Sequence, residues 1–200
     1  MTTESAEAAI AQSFARLRQD AINVLTAWPA AGAMSGRRDD FLTFVTDHVD
    51  AASRDCGEGH LTASALIVNP TAGVVLLTLH PKVGRWLQTG GHCEPGDPSI
   101  RRAALREARE ESGLQALEMS AAPIALDRHT IMCRPGVVLD HLDVQYLAIA
   151  PADATTQISA ESLDLRWFHW DDLPADCDDS TRSLVATARA DVSRRVNPTS

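Results

Sequence analysis

A helix bounded at both ends carries the densest run of acidic residues in this chain. Asp97 followed by Pro98 is a strong start, because Asp can accept backbone N–H bonds as an N-cap and Pro suits the first helical position. Gly113 is the matching stop, so the helix is expected from about Pro98 to Ser112. Within it, "REAREE" places Glu107, Glu110 and Glu111 at i, i+3 and i+4, which sends all three from one side.

Like charges at this spacing repel, and a cation is the simplest remedy. Oxygen-only ligation suits hard divalent ions such as Mg²⁺ or Mn²⁺, which accept a few carboxylates and keep water or phosphate oxygens in their other positions. The competing reading is an exposed acidic face offset by Arg101, Arg102, Arg106 and Arg109. The loop before the helix, "TGGHCEPG", contains glycines that permit φ > 0 and close backbone approach, so a carbonyl of Gly90 or Gly91 is expected to join a metal shell.

The chain has 200 residues, 44% of them hydrophobic, enough for one domain of about 120 to 150 residues with an extension. A net charge of −9 repels polyanions, which argues against duplex nucleic acid or an anionic membrane as the main partner. A small anionic substrate stays compatible if a cation is held locally. Cys56, Cys93, Cys133 and Cys177 are widely spaced, with no CxxC pair, as in a reducing compartment. "MTTESAEAAI" lacks the features of a signal peptide and no run is long enough to span a bilayer, so a cytoplasmic location is expected.

Along the chain, Ile10, Phe14, Leu17, Ala21, Val24 and Trp28 recur at steps of four and three, the seam of an amphipathic helix. "PAAGAMSG" reads as a linker. "DDFLTFVTDHV" reads as a second helix, capped by Asp39 or Asp40, with Phe41, Phe44, Val45, His48 and Val49 buried. This helical pair is expected to cover the following domain, the other reading being a homodimer contact. "LTASALIV" and "VVLLTLH" around "NPTAG" predict a β-hairpin. "GRWLQTGG", "APIALD", "LDVQYLAIA" and "DLRWFHW" predict further strands, and a last helix is expected over about 180–195. The pattern predicts an α/β fold, a mixed β-sheet sandwiched between helices. Residues 1–55 form an N-terminal helical extension in this reading, and residues 56–200 the main domain.

"GGHCEPGD" followed by "REAREESGL" resembles the Nudix box, G-x5-E-x7-R-E-U-x-E-E-x-G-U with U aliphatic. Gly91 takes the opening Gly, Asp97 stands at the first Glu, and Arg106, Glu107, Ala108, Glu110, Glu111, Gly113 and Leu114 follow in order. Asp97 replaces Glu, and eight residues rather than seven separate it from Arg106. The extra residue falls at "DPS", where loop meets helix, and leaves the glutamate spacing intact. The likeness covers roughly residues 60–175, from the strand "GRWLQTGG" to the closing strand and turn in "ESLDLRWFHWDDLP", and is similar to a bacterial Nudix subgroup without an assigned substrate.

The resemblance implies the Nudix fold and a divalent-metal-dependent pyrophosphohydrolase, in which water attacks one phosphorus of a nucleoside diphosphate derivative or related small diphosphate. It implies metal ligation by Glu107, Glu111 and Glu110, with Gly91 contributing from the backbone, and an ion pair from Arg106 that orients the glutamates. Glu161, in the loop before "LRWFHW", is the candidate general base or extra ligand. Two other functions share the fold: a silent sensor of a nucleotide-like metabolite, and an isoprenoid-diphosphate isomerase. The intact Arg106, Glu107, Glu110 and Glu111 set favours the hydrolase over both.

His80 and His92 flank the loop and are candidates to touch a phosphate or leaving group. Trp86 either stacks on a base or packs beneath the glycine loop. A zinc site from Cys56-x3-His60 with His92-Cys93 is disfavoured, because adjacent ligands fit one tetrahedral ion badly. In "DHLD", His141 and Asp143 share one strand face. The chain has no P-loop and no G-x-S-x-G nucleophile motif.

Overall fold

The computed structural model describes residues 3–134 and 137–196. These form, in chain order, α1 (Thr3–Ala27), α2 (Ala33–Asp47), β1 (Gly59–Asn69), β2 (Val74–Leu79), β3 (Trp86–Leu87), β4 (Thr89–His92), α3 (Ile100–Ser112), β5 (Glu118–Met119), β6 (Ala125–Arg134), β7 (Val137–Ile149), β8 (Asp164–His169) and α4 (Asp179–Val196). The sheet runs β3-β2-β1-β7-β5, with β4 on β1, β6 on β7 and β8 on β2. The α/β class and the expected strands are present, and no described helix is long and apolar enough to cross a membrane.

The chain divides into two compact units. One contains Ser64–Gly90, Ala104–Ala125 and the residues from Gln145 on. Its hairpin pairs Ile67 with Leu76 and Asn69 with Val74 in antiparallel register. The turn closes on Asn69, whose carbonyl accepts from Gly73 N–H at 3.0 Å and whose side chain accepts from Ala72 N–H at 3.2 Å. β8 then lies antiparallel along β2 from Val74↔His169 to Leu79↔Asp164. Leu66, Val68, Val75, Leu77 and Leu147 form the core with the buried stripe Leu184, Val185, Ala188 and Val192 of α4.

The other unit contains the residues up to Ala63, Gly91–Ala103 and Leu126–Val144. Its α1 is longer than expected, and its buried row is Ser13, Leu17, Ala21 and Leu25. The predicted seam was turned too far: Ile10 is 45% exposed, while strict steps of four run the buried row along one side. Helix α2 begins at Ala33, inside the expected linker, with Gly32 at its N-cap and no side-chain cap. Asp39 and Asp40 are therefore interior residues. Phe41, Phe44 and Val45 are buried as expected, but Val49 lies beyond the helix end and is exposed. Arg18 of α1 donates to the Val45 and Thr46 carbonyls at 2.5 and 2.7 Å, filling acceptors that the last turn of α2 leaves open.

Helix α1 also holds the start of α3. Ser13 accepts from Gly96 N–H at 3.0 Å, and the Asp20 carboxylate accepts from Ile100 N–H at 2.8 Å. The α3 cap is Ser99, whose hydroxyl accepts from Arg102 N–H at 3.2 Å. Asp97 was expected in that role. Its carboxylate instead accepts from Glu94 N–H at 2.8 Å and tightens the loop, so the extra residue in "DPS" moves the cap two positions along.

At the start of β1, Gly59 has φ +146°, and a Cβ there would stand 2.6 Å from the Asp140 carbonyl oxygen. Only glycine permits this approach, which sets His60 beside the strand that carries His141. Asp20→Ala removes a charged acceptor from a helix N-terminus and is expected to cost about 1 kcal/mol. Thermal denaturation of Asp20→Ala against Asp20→Asn checks this, with the amide variant expected to keep part of the difference.

Candidate active site

Two of the three glutamates of α3 leave solvent. Glu107 and Glu111 are each 8% exposed, one turn apart on the buried side, while Glu110 is exposed. The exposed acidic face is thereby ruled out for Glu107 and Glu111. It also narrows the expectation of a single three-acid face, since Glu110 points about 100° of helix rotation away from Glu111. Arg106 donates from Nη1 to Glu107 at 2.9 Å and to Glu110 at 3.0 Å, bridging the buried and exposed acids.

Burial raises the Glu107 carboxyl above its ordinary range, against the opposing pull of Arg106. Burial also raises Glu111 from 4.5 to about 8, with further contributions from the charges of Glu107 and Glu161. Gly90 N–H donates to Glu111, but Glu111 Oε2 is buried without a hydrogen-bond partner. A buried acceptor left this way costs about 1–3 kcal/mol, and more when charged. An orphaned carboxylate oxygen beside a second buried carboxylate fits a hard divalent cation held by oxygen donors.

Gly113 ends α3 with φ +74°, and its N–H donates to the Arg109 carbonyl at 2.8 Å. A Cβ at Gly113 would lie 2.7 Å from Gln157 Cβ, and Gln157 N–H donates to the Ser112 carbonyl at 2.8 Å. This contact docks the loop before β8 on the end of α3. Glu161 lies on that loop, close enough for its charge to raise both buried glutamates.

The other candidates are placed differently. Gly90 and Gly91 lie in β4 without positive φ; of the glycines in this loop only Gly96 has it, at +114°. The Gly90 contact to Glu111 is made by its N–H, where a carbonyl contribution was expected. Trp86 is 7% exposed in the core, edge-on to Phe168 with ring centroids 4.8 Å apart, which is the packed arrangement of the two expected for it. His80 belongs to the β2–β3 turn, accepting from Val83 N–H at 3.3 Å on Nδ1 and from Gly84 N–H at 2.8 Å on its carbonyl.

His92 is drawn to His60 and His141, with ring centroids 5.0 and 5.2 Å away. Sequence spacing missed this grouping, because His141 comes from a strand about fifty residues further on. Burial and the neighbouring His60, His92 and His129 push His141 down to about 3. Asp143, expected on the His141 face, is buried and accepts from the Thr62 hydroxyl at 3.1 Å. Cys56, Cys93 and Cys177 are buried; the side chain of Cys133 lies outside those described.

The NUDIX domain model matches residues 59–188, which include the glycine loop, α3 and Glu161. The chain belongs to the NUDIX domain family. With its Arg106, Glu107, Glu110 and Glu111 set complete, it is a Nudix-type pyrophosphohydrolase of α/β Nudix fold. A Nudix-family hydrolase from Clostridium perfringens is 26% identical, with TM-score 0.54 over 66% of this chain and 97% of that one. A MutT Nudix hydrolase from Burkholderia pseudomallei is 26% identical, with TM-score 0.50 over 64% and 95%. The Nudix domain of Shewanella oneidensis NrtR, solved with ADP ribose, shares the fold at 20% identity and TM-score 0.52 over 75% and 97%. No curated protein matches the chain.

Glu111 generates a pH dependence whose sign is fixed. Its folded pKa lies above the unfolded one, so its contribution to stability is full below about 4.5 and is lost as pH rises through about 8. In metal-free protein, Glu111→Gln should match wild type near pH 4, become progressively more stable than wild type between about pH 4.5 and 8, and level off above that. Denaturant melts across that range with chelator present check it; a constant difference contradicts the raised carboxyl.

Proposed function

We propose that this Nudix enzyme hydrolyses the diphosphate linkage of a nucleoside diphosphate derivative or related small molecule, using Mg²⁺ or Mn²⁺. The observation that carries this reading is the pair of buried carboxylates, Glu107 and Glu111, with Glu111 Oε2 lacking any partner. Glu107 and Glu111 would hold the ion, with Glu110 as a third ligand or water-positioning group. The backbone at Gly91 is a further candidate ligand. When bound, the ion neutralises diphosphate oxygens and lowers the pKa of attacking water.

The remaining roles fall to the chain itself. Arg106 fixes the rotamers of Glu107 and Glu110 through its two ion pairs. Glu161 is the best placed general base, being exposed on a loop docked to α3 while its charge reaches both buried acids. From there it can accept the proton of the attacking water as the phosphorus–oxygen bond forms. His80 and His92 are the candidates for contact with the leaving group in this reading, while Trp86 serves packing. Residues 1–55 act as an extension to a catalytic domain at 56–200, in a cytoplasmic protein.

The test is a panel of nucleoside diphosphate derivatives with Mg²⁺ or Mn²⁺, scored for phosphate release. Wild type should cleave at least one member, Glu111→Gln should lose about 100-fold or more, and chelator should abolish turnover. Glu161→Gln should lower kcat with little change in KM. A wild type inactive on every member, or a fully active Glu111→Gln, defeats the assignment.

A further inference from the structure

His60, His92 and His141 come from three separate strands, β1, β4 and β7, and each presents a ring nitrogen within 4.8 Å of the other two. Tetrahedral ligation at 2.0–2.1 Å requires nitrogens about 3.3 Å apart, which small rotations of three rings can supply. The burial makes the grouping hard to explain as packing alone. His60 is 1% exposed, and neither of its ring nitrogens has a hydrogen-bond partner. Nε2 of His141 is likewise buried without one. Buried polar atoms are nearly always satisfied, so two rings with orphaned nitrogens facing a third call for a shared partner that accepts lone pairs.

We propose that His60, His92 and His141 form a binding site for a first-row transition ion of the Zn²⁺ type, with one coordination position left for water. Imidazole donors select such ions over Mg²⁺, and three protein ligands with one open position is a familiar zinc arrangement. The surroundings supply what such a site needs. Gly59 brings β1 against β7 at Asp140, so the His60 and His141 rings lie 4.7 Å apart. His129, held by Asp127 at 2.8 Å, packs on the His141 ring at 5.3 Å and completes the wall behind it. Arg54 donates to His92 Nδ1 at 2.9 Å from an exposed side chain, so an ion entering through that nitrogen displaces only a group that can return to solvent. The site uses none of the carboxylates assigned to hydrolysis.

The experiment uses full-length Glu111→Gln protein in excess Mg²⁺, titrated with Co²⁺ and Zn²⁺. One equivalent of Co²⁺ should develop the visible absorption of a low-coordinate nitrogen site, and Zn²⁺ should displace it stoichiometrically. Adding His60→Asn or His141→Asn should weaken binding at least about 100-fold. Binding absent at micromolar concentration, or unaffected by both substitutions, overturns the proposal. If a histidine variant does not fold, long-range ¹H–¹⁵N spectra of wild type decide: Zn²⁺ should shift ring nitrogens of three of the seven histidines, and no shift at these three overturns it. Loss of hydrolysis in Glu111→Gln is a separate readout, so either conclusion can fail without the other.

Discussion

Two carboxylates taken out of water on one turn of α3 set the terms for the rest of this molecule. Glu107 and Glu111 cannot both stay charged there without compensation, and Arg106 reaches Glu107 and the exposed Glu110. A helix that must hold such a pair has to be fixed at both ends. Ser99 and Asp20 satisfy its first N–H groups, and Gly113 turns the chain into a position where any Cβ would strike Gln157. The second constraint delivers Glu161 to the same pair of acids. Helix ends that look like local capping thus decide which carboxylates meet.

A proton and a divalent ion are alternative solutions to one electrostatic problem. With Glu111 raised to about 8, the metal-free protein at neutral pH largely keeps a proton there. On the proposed reading, binding a cation there would release that proton, so metal affinity would rise with pH until the carboxyl is fully ionised. The same burial would strengthen the hold of Glu107 and Glu111 on a cation in that reading, because charges interact more strongly where water is excluded.

Much of this was legible in the residue order, and the exceptions share a cause. The hairpin, α3 and α4 follow from period-two and period-four patterns, and the Glu107, Glu110 and Glu111 spacing survives because it is internal to one helix. What local pattern did not reveal was how neighbours claim each group. Asp97 is an excellent cap by type, yet Ser99 caps and Asp20 arrives from a helix eighty residues earlier. The buried row of α1 differs from the expected seam because Ser13, a polar residue, occupies a buried position where its hydroxyl accepts from the Gly96 N–H of the box loop. His60, His92 and His141 carry no shared spacing at all; only strand pairing assembles them.

The two donor sets make complementary chemical demands. Carboxylate oxygens bind Zn²⁺ more tightly than Mg²⁺ when both are available, since affinity for nearly any ligand rises along the first transition row. A hydrolase that relies on Mg²⁺ or Mn²⁺ gains selectivity if the same chain offers a better partner to the softer ion. Three imidazoles, two of them with orphaned nitrogens, are that better partner, because nitrogen donors widen the preference for Zn²⁺ over Mg²⁺. The proposed histidine site would therefore act on the glutamate site through competition for ions: at substoichiometric zinc, the imidazoles fill first and leave the carboxylates to the ion that the hydrolytic reading requires.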